Sequence, residues 1–344
     1  MNLFSIFKPL AFTMDPENVH DFSMKYFSKY PGISHLFPCA KVSEQLSITD
    51  SHTKWSSPVG LAAGFDKNAV AIEFFEKIGF GAVEVGTVTI EPQQGNERPR
   101  IWRYPENNSI RNAMGFPNAG SKVILENIKS SNHTCCLGIN IGKNKNTSAA
   151  DTPSEYAKLY EMFAPHGDYI VINISSPNTP GLRNLQTKEA FRDICIAIDE
   201  KRKMLSKPLY LKIAPDLNIE DIKDMVELSK EFSLSGIIAT NTTIQHSYDK
   251  GGVSGAYIRN ISRDIRKKVC ELTKETKDIS VIGVGGIDSF EDILEFWQQG
   301  GKMTQVYSSF IFHGPKLLVN IQNDMLRFLK ENQLSSIQEY TDRF

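Results

Sequence analysis

The feature that most constrains the fold is an eightfold alternation of short apolar runs and longer amphipathic stretches, which begins at Pro58. The apolar runs are rich in Val, Ile and Gly and predict strands at Val59–Ala63, Ala82–Val88, Cys136–Ile141, Tyr169–Ile174, Leu209–Ile213, Gly236–Thr240, Ser280–Val284 and Thr304–Ser308. The stretches between them predict helices at Ala69–Ile78, Asn118–Ile128, Ser154–Phe163, Lys188–Met204, Ile219–Phe232, Arg263–Thr276, Phe290–Gln299 and Pro315–Leu329. Strands that alternate with helices form parallel β–α–β units. Eight units in one series predict an α/β fold, a closed (β/α)8 TIM barrel, with an open doubly wound sheet as the alternative.

The composition is compatible with one large globular domain. Hydrophobic residues make up 40% and charged residues 23% of the 344 residues, which allows a large core and argues against disorder. The formal net charge of −1 gives no electrostatic reason to expect nucleic acid as a partner. The five cysteines have no metal-ligand spacing, so we predict no metal site. No signal-peptide pattern opens the chain and no apolar run reaches about 18 residues, so we expect neither secretion nor a membrane-spanning helix.

The segment Asn173–Gly181 is the strongest single indication of a functional site. It follows the apolar run 169–172 and contains two asparagines, two serines and a threonine, together with two prolines and a glycine. Buried polar groups are tolerated only where something satisfies them, so this strand end predicts a binding site. Because the segment has neither histidine nor carboxylate, any base within it must be a hydroxyl.

Polar or glycine clusters follow the other predicted strands as well. All eight clusters lie at 63–67, 86–87, 140–143, 173–176, 212, 240–242, 283–286 and 307–308. A single glycine after a strand is usually only a turn, but eight clusters at the carboxyl ends of barrel strands predict one large polar cavity. Gly285-Gly286 and Tyr307-Ser308 fit the phosphate site that is common after the last two strands of such barrels, and Gly255 could add backbone donors.

The asparagines of this rim carry paired donors and acceptors, which suit a planar ring with amide edges. They are Asn112, Asn140, Asn173, Asn178 and Asn241. Lys67 and Lys212 add cations that need anionic or strongly accepting partners inside a barrel. A phosphate-bearing ring cofactor beside a small planar acidic substrate fits this inventory, and a sugar phosphate is the alternative.

The ordered motifs of the chain resemble those of the quinone-linked, membrane-associated dihydroorotate dehydrogenases. They are Gly60–Lys67, Gly95–Arg100, Gly138–Lys145, Asn173–Gly181, Leu211–Asp216, Ile238–Thr243 and Gly283–Ile287, and the resemblance runs from about Met14 to Leu329. The resemblance implies that FMN is bound and that dihydroorotate is oxidised to orotate in pyrimidine biosynthesis. In that chemistry a base removes the C5 proton while a hydride passes from C6 to the flavin N5.

The resemblance assigns the base to Ser176, where soluble relatives use a cysteine. A serine hydroxyl is a weak base and no histidine is adjacent, so we expect a relay through water or a neighbouring hydroxyl such as Thr179. The implied FMN contacts are Ala63, Gly64, Lys67, Thr87, Asn140, Asn173, Lys212, Thr240, Gly255, Gly286, Tyr307 and Ser308. The implied substrate residues are Lys67, Asn112, Ala113, Met114, Gly115, Phe116, Asn173, Asn178, Asn241 and Thr242. By the same resemblance, Lys67 meets the substrate carboxylate and Lys212 stabilises negative charge on the flavin.

The chain departs from the family pattern at three places. Arg111-Asn112-Ala113 stands where Ile-Asn-Arg is common, and Pro117 stands where asparagine is common. The loop 244–250 is shorter than in the family, so we expect a loop that covers the site to behave differently here. None of the three removes a residue that the resemblance assigns to the chemistry.

The first 45 residues are predicted to be a helical extension, followed by the catalytic barrel over 46–335 and a C-terminal tail over 336–344. Asp15-Pro16 has the pattern of a helix start, and an apolar face follows at Val19, Phe22, Tyr26, Phe27 and Tyr30. Helices of this kind usually pack on the barrel, and the alternative is a surface that enters the lipid headgroup region. The resemblance favours the membrane and implies a quinone route past His20, Arg103 and Tyr307.

These expectations together describe a peripheral protein that binds the lipid bilayer surface and passes electrons to a membrane quinone. The absence of an Arg-rich transit peptide favours the cytoplasmic face of a bacterial inner membrane over a mitochondrion. The alternatives are a soluble flavin enzyme that reduces fumarate or a nicotinamide, a non-redox barrel enzyme for a phosphorylated metabolite, and a peripheral binding module.

Overall fold

The computed structural model describes residues 3–41, 43–276 and 278–344. Its strands are β1 (Ile48–Thr49), β2 (Lys54–Trp55), β3 (Val59–Leu61), β4 (Ala82–Val88), β5 (Ile101–Tyr104), β6 (Ser109–Asn112), β7 (Cys136–Ile141), β8 (Tyr169–Asn173), β9 (Leu209–Ile213), β10 (Gly236–Ala239), β11 (Gly252–Gly255), β12 (Ser280–Val284) and β13 (Met303–Val306). Its α-helices are α1 (Leu3–Thr13), α2 (Pro16–Lys29), α3 (Ile72–Lys77), α4 (Ser121–Ser130), α5 (Thr152–Phe163), α6 (Lys188–Arg202), α7 (Ile219–Glu231), α8 (Arg259–Thr273), α9 (Phe290–Gln298), α10 (Ser308–His313), α11 (Lys316–Glu331) and α12 (Ile337–Thr341).

A closed barrel of parallel strands forms the centre of the molecule. Around the barrel the strand order is β3, β4, β7, β8, β9, β10, β12 and β13, and the pairing of Val306 with Leu61 closes it. The predicted (β/α)8 barrel is therefore confirmed, and the open-sheet alternative is wrong. Parallel strands covered by helices are buried on both faces, which is why these strands are mostly apolar and lack a regular alternation with polar residues.

The amino-terminal end of the barrel is a packed core. Trp55, fully buried in the β1–β2 hairpin, lies 6.3 Å from the ring of Tyr169, which lies 5.3 Å from the ring of Tyr210. A Cβ at Gly81, just before β4, would stand 1.9 Å from the carbonyl oxygen of Ser57, so the two backbones can approach this closely only with glycine. Side chains fill the barrel interior at this end, and the active sites of such barrels lie at the carboxyl ends of the strands.

The first barrel helix begins later than predicted. The sequence pattern predicts a start at Ala69, but Ala69 has a φ of +57°, outside the right-handed helical region, and α3 begins at Ile72. The carboxylate of Asp66 instead accepts the N–H groups of Val70 and Ala71 at 3.0 and 2.8 Å. The N–H groups that would have formed helix hydrogen bonds are thus bound by a side chain in the loop after β3.

A three-stranded antiparallel sheet of β5, β6 and β11 was not predicted from the sequence. It pairs Asn112 with Gly252 and Ser109 with Gly255, so two distant parts of the chain meet beside the barrel mouth. Arg111 of β6 stacks on the rings of Trp102 and Tyr248, at 3.9 and 4.4 Å, and forms an ion pair with Asp249 at 2.9 Å. These contacts attach the loop 244–250 to the small sheet.

The N-terminal extension is held to the barrel by one of its faces. Asp15 caps α2 by accepting the N–H of Asn18 at 2.9 Å, and Pro16 is the first helical residue, which confirms the predicted helix start. Phe27 stacks on Phe74 of α3 with ring centroids 3.8 Å apart. The extension is therefore docked and its orientation is defined.

The opposite face of the extension exposes large apolar side chains. They are Ile6, Phe7, Leu10, Met14, Phe22, Tyr26 and Tyr30. Within the described ranges, every helix is too short or too polar to cross a bilayer. At the other end of the chain, α12 packs on the β1–β2 hairpin, where Ile337 is fully buried and Gln338 Oε1 accepts the N–H of Thr49 at 2.7 Å.

Candidate active site

A cavity lies at the carboxyl ends of the barrel strands, and the space within it, including the part that is open to solvent, is about 1170 Å³. Of the residues predicted for flavin, substrate and quinone, all but Asn140, Ala113, His20 and Arg103 line it. Those that line it are Ala63, Gly64, Lys67, Thr87, Asn112, Met114, Gly115, Phe116, Asn173, Ser176, Asn178, Lys212, Thr240, Asn241, Thr242, Gly255, Gly286, Tyr307 and Ser308.

The floor of the cavity is a buried polar network around Glu84 of β4. Its carboxylate lies 3.5 Å from the ammonium of Lys212 and accepts hydrogen bonds from Asn140 at 2.8 Å and from Gln305 at 2.6 Å. Glu84 has no exposed surface, whereas Lys212 and Gln305 face the cavity. The lysine that was predicted to need an anionic partner therefore has one. Sequence reasoning missed Glu84, although a lone carboxylate within the apolar strand β4 was a usable signal.

Asn173, at the end of β8, is fixed by hydrogen bonds to two neighbouring strands. Its amide donates to the hydroxyl of Thr87 and to the side-chain oxygen of Asn140, each at 3.0 Å. The Thr87 hydroxyl donates to the same oxygen of Asn140 at 2.6 Å. Asn140 is fully buried behind the cavity wall and acts on a ligand only through Thr87 and Asn173. The wall is thus pre-organised, with each amide in one orientation.

Ser176 is buried and faces the cavity, and its hydroxyl oxygen accepts the N–H of Asn178 at 3.3 Å. The Asn178 amide donates to Asn112 at 2.8 Å, which brings the loop after β8 and the small sheet together. Thr179 has a buried hydroxyl without a hydrogen-bond partner among the described residues, so no relay from Ser176 to Thr179 is formed here. Thr242, which lines the cavity, also has an unpaired buried hydroxyl.

Lys67 lies at the edge of the cavity and donates to Nε2 of His20 at 3.3 Å. Burial lowers the pKa of Lys67 to about 8, although the negative charges of Asp21, Glu17 and Asp66 oppose the shift. Burial and the charge of Lys67 also hold the pKa of His20 well below its usual value, so His20 is neutral at physiological pH. A cation that is readily deprotonated therefore stands at the mouth of the site.

The three residues predicted for the quinone route do not all touch one another. His20 lies 5.3 Å from the ring of Phe65, which in turn lies 5.3 Å from the ring of Tyr307 in the cavity wall. Arg103 donates to the carbonyl of Ala11 at 3.1 Å, at the base of α1. Burial raises the pKa of Tyr307 to about 12, so this phenol stays protonated. Phe65, which links His20 to Tyr307, was not predicted for the quinone route, although it lies within the motif Gly60–Lys67.

Glycine-rich backbone lines the cavity next to β12 and β13. Gly286 has a φ of +73°, and a Cβ there would stand 2.4 Å from the Cα of Arg259. Gly255 has a φ of +88° and would meet the carbonyl of Asn108 at 2.3 Å. Ser254 and Ser308, on β11 and α10, share a hydrogen bond of 2.8 Å across the same corner. Left-handed glycines expose backbone N–H groups, which makes this corner suited to an anion.

Comparison with known proteins agrees with this geometry. The family model described as dihydroorotate dehydrogenase matches residues 45–329. A protein of Aliivibrio fischeri (strain MJ11) named dihydroorotate dehydrogenase (quinone) is 39% identical over 339 residues, which cover 94% of this chain and 100% of that protein. A protein of Natronomonas pharaonis with the same name is 36% identical and covers 98% of each chain.

Solved structures give the same result. The crystal structure of DHODH from Eimeria tenella in complex with ferulenol matches with a TM-score of 0.86 and 32% identity, over 94% of each chain. The ligand-free form from the same organism matches with a TM-score of 0.86 and 33% identity. By the family model, which matches most of its length, and by its similarity to these relatives, this chain belongs to the dihydroorotate dehydrogenase family.

Proposed function

We propose that this chain oxidises dihydroorotate to orotate in pyrimidine biosynthesis, with FMN as its cofactor and a membrane quinone as the final electron acceptor. Members of the family are flavin enzymes, and relatives at 36–39% identity are named for the quinone reaction. The observation that carries the proposal is that Ser176, Lys67 and Lys212 line one cavity with an asparagine-rich wall.

The described residues fit FMN at two ends of the cavity. At the floor, the Lys212 ammonium and the unpaired buried oxygen of Gln305 offer a cation and an acceptor to a heterocycle. At the far corner, the left-handed backbone of Gly255 and Gly286 and the hydroxyl of Ser308 suit a phosphate. The residues that would hold the cofactor are Ala63, Gly64, Lys67, Thr87, Asn173, Lys212, Thr240, Gly255, Gly286, Tyr307 and Ser308, and Asn140 would support them from behind the cavity wall through Thr87 and Asn173. When bound, FMN supplies an acceptor for the hydride that leaves C6 of the substrate.

The substrate lies between the wall of asparagines and the mouth of the cavity in this proposal. Lys67 pairs with the carboxylate, because it lines the cavity and the other lining cation, Lys212, already has Glu84 as its partner. Asn112, Asn178 and Asn241 bond the amide edges of the ring, and the free hydroxyl of Thr242 gains a partner. The remaining contacts are from Met114, Gly115, Phe116 and Asn173, which line the cavity, whereas Ala113 lies behind them.

Ser176 acts as the base that removes the C5 proton. No histidine or carboxylate hydrogen-bonds to its hydroxyl among the described residues, so the proton must leave through water or a neighbouring group. The unpaired hydroxyl of Thr179 in the same segment is our candidate for that group, and the relay is our hypothesis. Asn178 N–H, bonded to the Ser176 oxygen at 3.3 Å, stabilises negative charge that develops there.

The N-terminal extension brings the quinone to the cavity in this proposal. Its exposed apolar face lies on the lipid surface, and His20, Arg103 and Tyr307 line the route inward. We propose that the protein lies on the cytoplasmic face of a bacterial inner membrane, and the bacterial source of several relatives supports this location.

The purified protein tests the redox proposal directly. It should be yellow, and dihydroorotate should bleach the flavin absorbance without oxygen. Ser176→Ala should retain FMN and bind orotate but bleach at least about 100-fold more slowly, since general-base catalysis contributes roughly 10²–10⁴-fold. Full turnover by Ser176→Ala would refute the role of Ser176. A colourless, folded wild-type protein would refute the function.

The acceptor and the membrane are tested together with substitutions on the exposed face. Phe7→Asp and Leu10→Asp should abolish binding to phospholipid vesicles and turnover with quinone while dihydroorotate still bleaches the flavin. Both side chains are more than half exposed, so the fold should not suffer. Rapid reoxidation by fumarate or a nicotinamide would support the soluble-enzyme alternative instead.

A further inference from the structure

We propose that Arg183 is a positioning residue that joins the strand end carrying the base to the strand end carrying substrate contacts. This proposal rests on the function proposed above. Arg183 lies in the short helical segment Leu182–Gln186, directly after the motif Asn173–Gly181. It does not line the cavity, and nothing in the sequence motifs marks it as functional.

The guanidinium of Arg183 contacts three separate loops. Its Nε donates to the carbonyl of Ser175 at 3.0 Å, and one Nη donates to the carbonyl of Thr242 at 2.8 Å. The other Nη pairs with the carboxylate of Asp216 at 2.7 Å. These loops follow β8, β10 and β9, and two of them carry cavity-lining residues. Only the planar fork of arginine can reach all three acceptors at once.

The Asp216 carboxylate completes the arrangement from the loop after β9. It also accepts the hydroxyl of Thr243 and the N–H of Ile244 at 3.3 Å, both just beyond Thr242. The side chains of Arg183 and Asp216 are 18% and 11% exposed, so the pair is shielded from water and is stronger than a surface ion pair. The strand end at Thr242 is therefore held from its carbonyl and from the two residues that follow.

The contact that matters for the chemistry is the one to Ser175. Its carbonyl belongs to the peptide group that continues into Ser176, so Arg183 fixes the plane of the peptide from which the base extends. The Ser175 side chain is fixed separately, because its hydroxyl donates to Asn173 at 3.0 Å and accepts from Asn241 at 3.0 Å. Loss of the guanidinium would leave Ser175 in place by its side chain but free its carbonyl to rotate.

Gln186, in the same segment, already attaches this segment to the barrel, so Arg183 is not needed for that purpose. Gln186 is buried and its side-chain oxygen accepts the N–H of Ala214 at 3.0 Å, which attaches the same segment to the end of β9. The segment is thus fastened without Arg183. The additional effect of Arg183 is on the carbonyls of Ser175 and Thr242.

Loss of the Arg183 guanidinium should affect the breaking of the C5–H bond and of the C6–H bond differently. Proton removal at C5 depends on the distance and angle to Ser176 Oγ, whereas hydride loss at C6 depends on the position of the cofactor. A displaced Ser176 therefore slows the first and leaves the second intrinsically unchanged. This separation gives the test a readout that general loss of stability would not produce.

The experiment uses the FMN-loaded enzyme and three variants, in anaerobic stopped-flow bleaching by dihydroorotate. Arg183→Gln should slow the bleaching roughly 10- to 100-fold, the loss expected for hydrogen bonds to a charged group. Arg183→Lys keeps a charge beside Asp216 but cannot span both carbonyls, so it should be nearly as slow. Arg192→Gln is the matched control, because Arg192 is an exposed arginine on α6 whose ion-pair partner is Glu231, and it should bleach at the wild-type rate.

Substrates deuterated at C5 or at C6 identify the step that is affected. In Arg183→Gln the isotope effect from C5 should rise above that of the wild type, while the effect from C6 should not. Full activity of Arg183→Lys, or slow bleaching with both isotope effects unchanged, would overturn the positioning role. FMN content, orotate affinity and reduction by dithionite should match the wild type, and a loss of FMN would show that Arg183 is structural. Failure of wild-type bleaching would refute the proposed function and is a separate outcome.

Discussion

The depressed pKa of Lys67 leads to a quantitative prediction about substrate affinity. If Lys67 binds the substrate carboxylate, only its protonated form binds well. With a pKa of about 8, its protonated fraction falls from about 0.9 at pH 7 to about 0.1 at pH 9. The dissociation constant of orotate should therefore rise roughly tenfold over this range, with most of the change above pH 8.

The loss of orotate affinity at alkaline pH follows from the lowered pKa of Lys67. A lysine with an ordinary pKa would stay protonated to pH 10 and would give no change between pH 7 and 9. Burial lowers the pKa of Lys67 into the range between pH 7 and 9, and the nearby carboxylates limit how far the pKa falls. Asp21→Asn removes the largest opposing contribution, so the alkaline loss of affinity should begin at lower pH in that variant.

The assay is a titration of orotate against the visible absorbance of the bound flavin, at several pH values and constant ionic strength. Binding of the product avoids any pH dependence of the chemical step. Lys67→Met should weaken binding about 10- to 150-fold at pH 7, the contribution of a charge-assisted hydrogen bond, and should make affinity independent of pH. Lys77→Met, at an exposed lysine on α3, is the control and should behave as the wild type. An alkaline limb that persists in Lys67→Met would refute the reasoning.

Three further substitutions test other parts of the structure. Glu84→Gln leaves the lysine of the cavity floor without a counter-charge and should lower stability in urea by about 3 kcal/mol, so an unchanged midpoint would contradict the network. Gly81→Ala places a Cβ 1.9 Å from a carbonyl oxygen and should cost about 3 kcal/mol in thermal unfolding, whereas Gly32→Ala, with no atom within 4 Å, should be neutral. Arg111→Ala removes the cation between two aromatic rings, so amide hydrogen exchange should become faster in 244–250 and not in the barrel strands; equal exchange would refute the attachment.

Much of the fold was predictable because its signals are local. Strands such as Ala82–Val88 and Leu209–Ile213 were predicted with their observed bounds, since a buried parallel strand is a continuous apolar run wherever it lies. The start of α2 was also predictable, because Asp15-Pro16 is a local helix-capping pattern. The start of α3 was not, because the Asp66 side chain competes for the N–H groups that a helix would use.

The candidate site also has features that the sequence predicted and features that only the tertiary structure shows. The sequence by itself determined the barrel, the cluster Asn173–Gly181 and its lack of histidine, because strand ends in a barrel necessarily converge on one rim. Only the tertiary structure decided that Lys212 meets Glu84, that Lys67 meets His20, and that Arg183 bridges two strand ends. These partners lie far apart along the chain, and which of them meet depends on strand register and loop paths that no local pattern encodes.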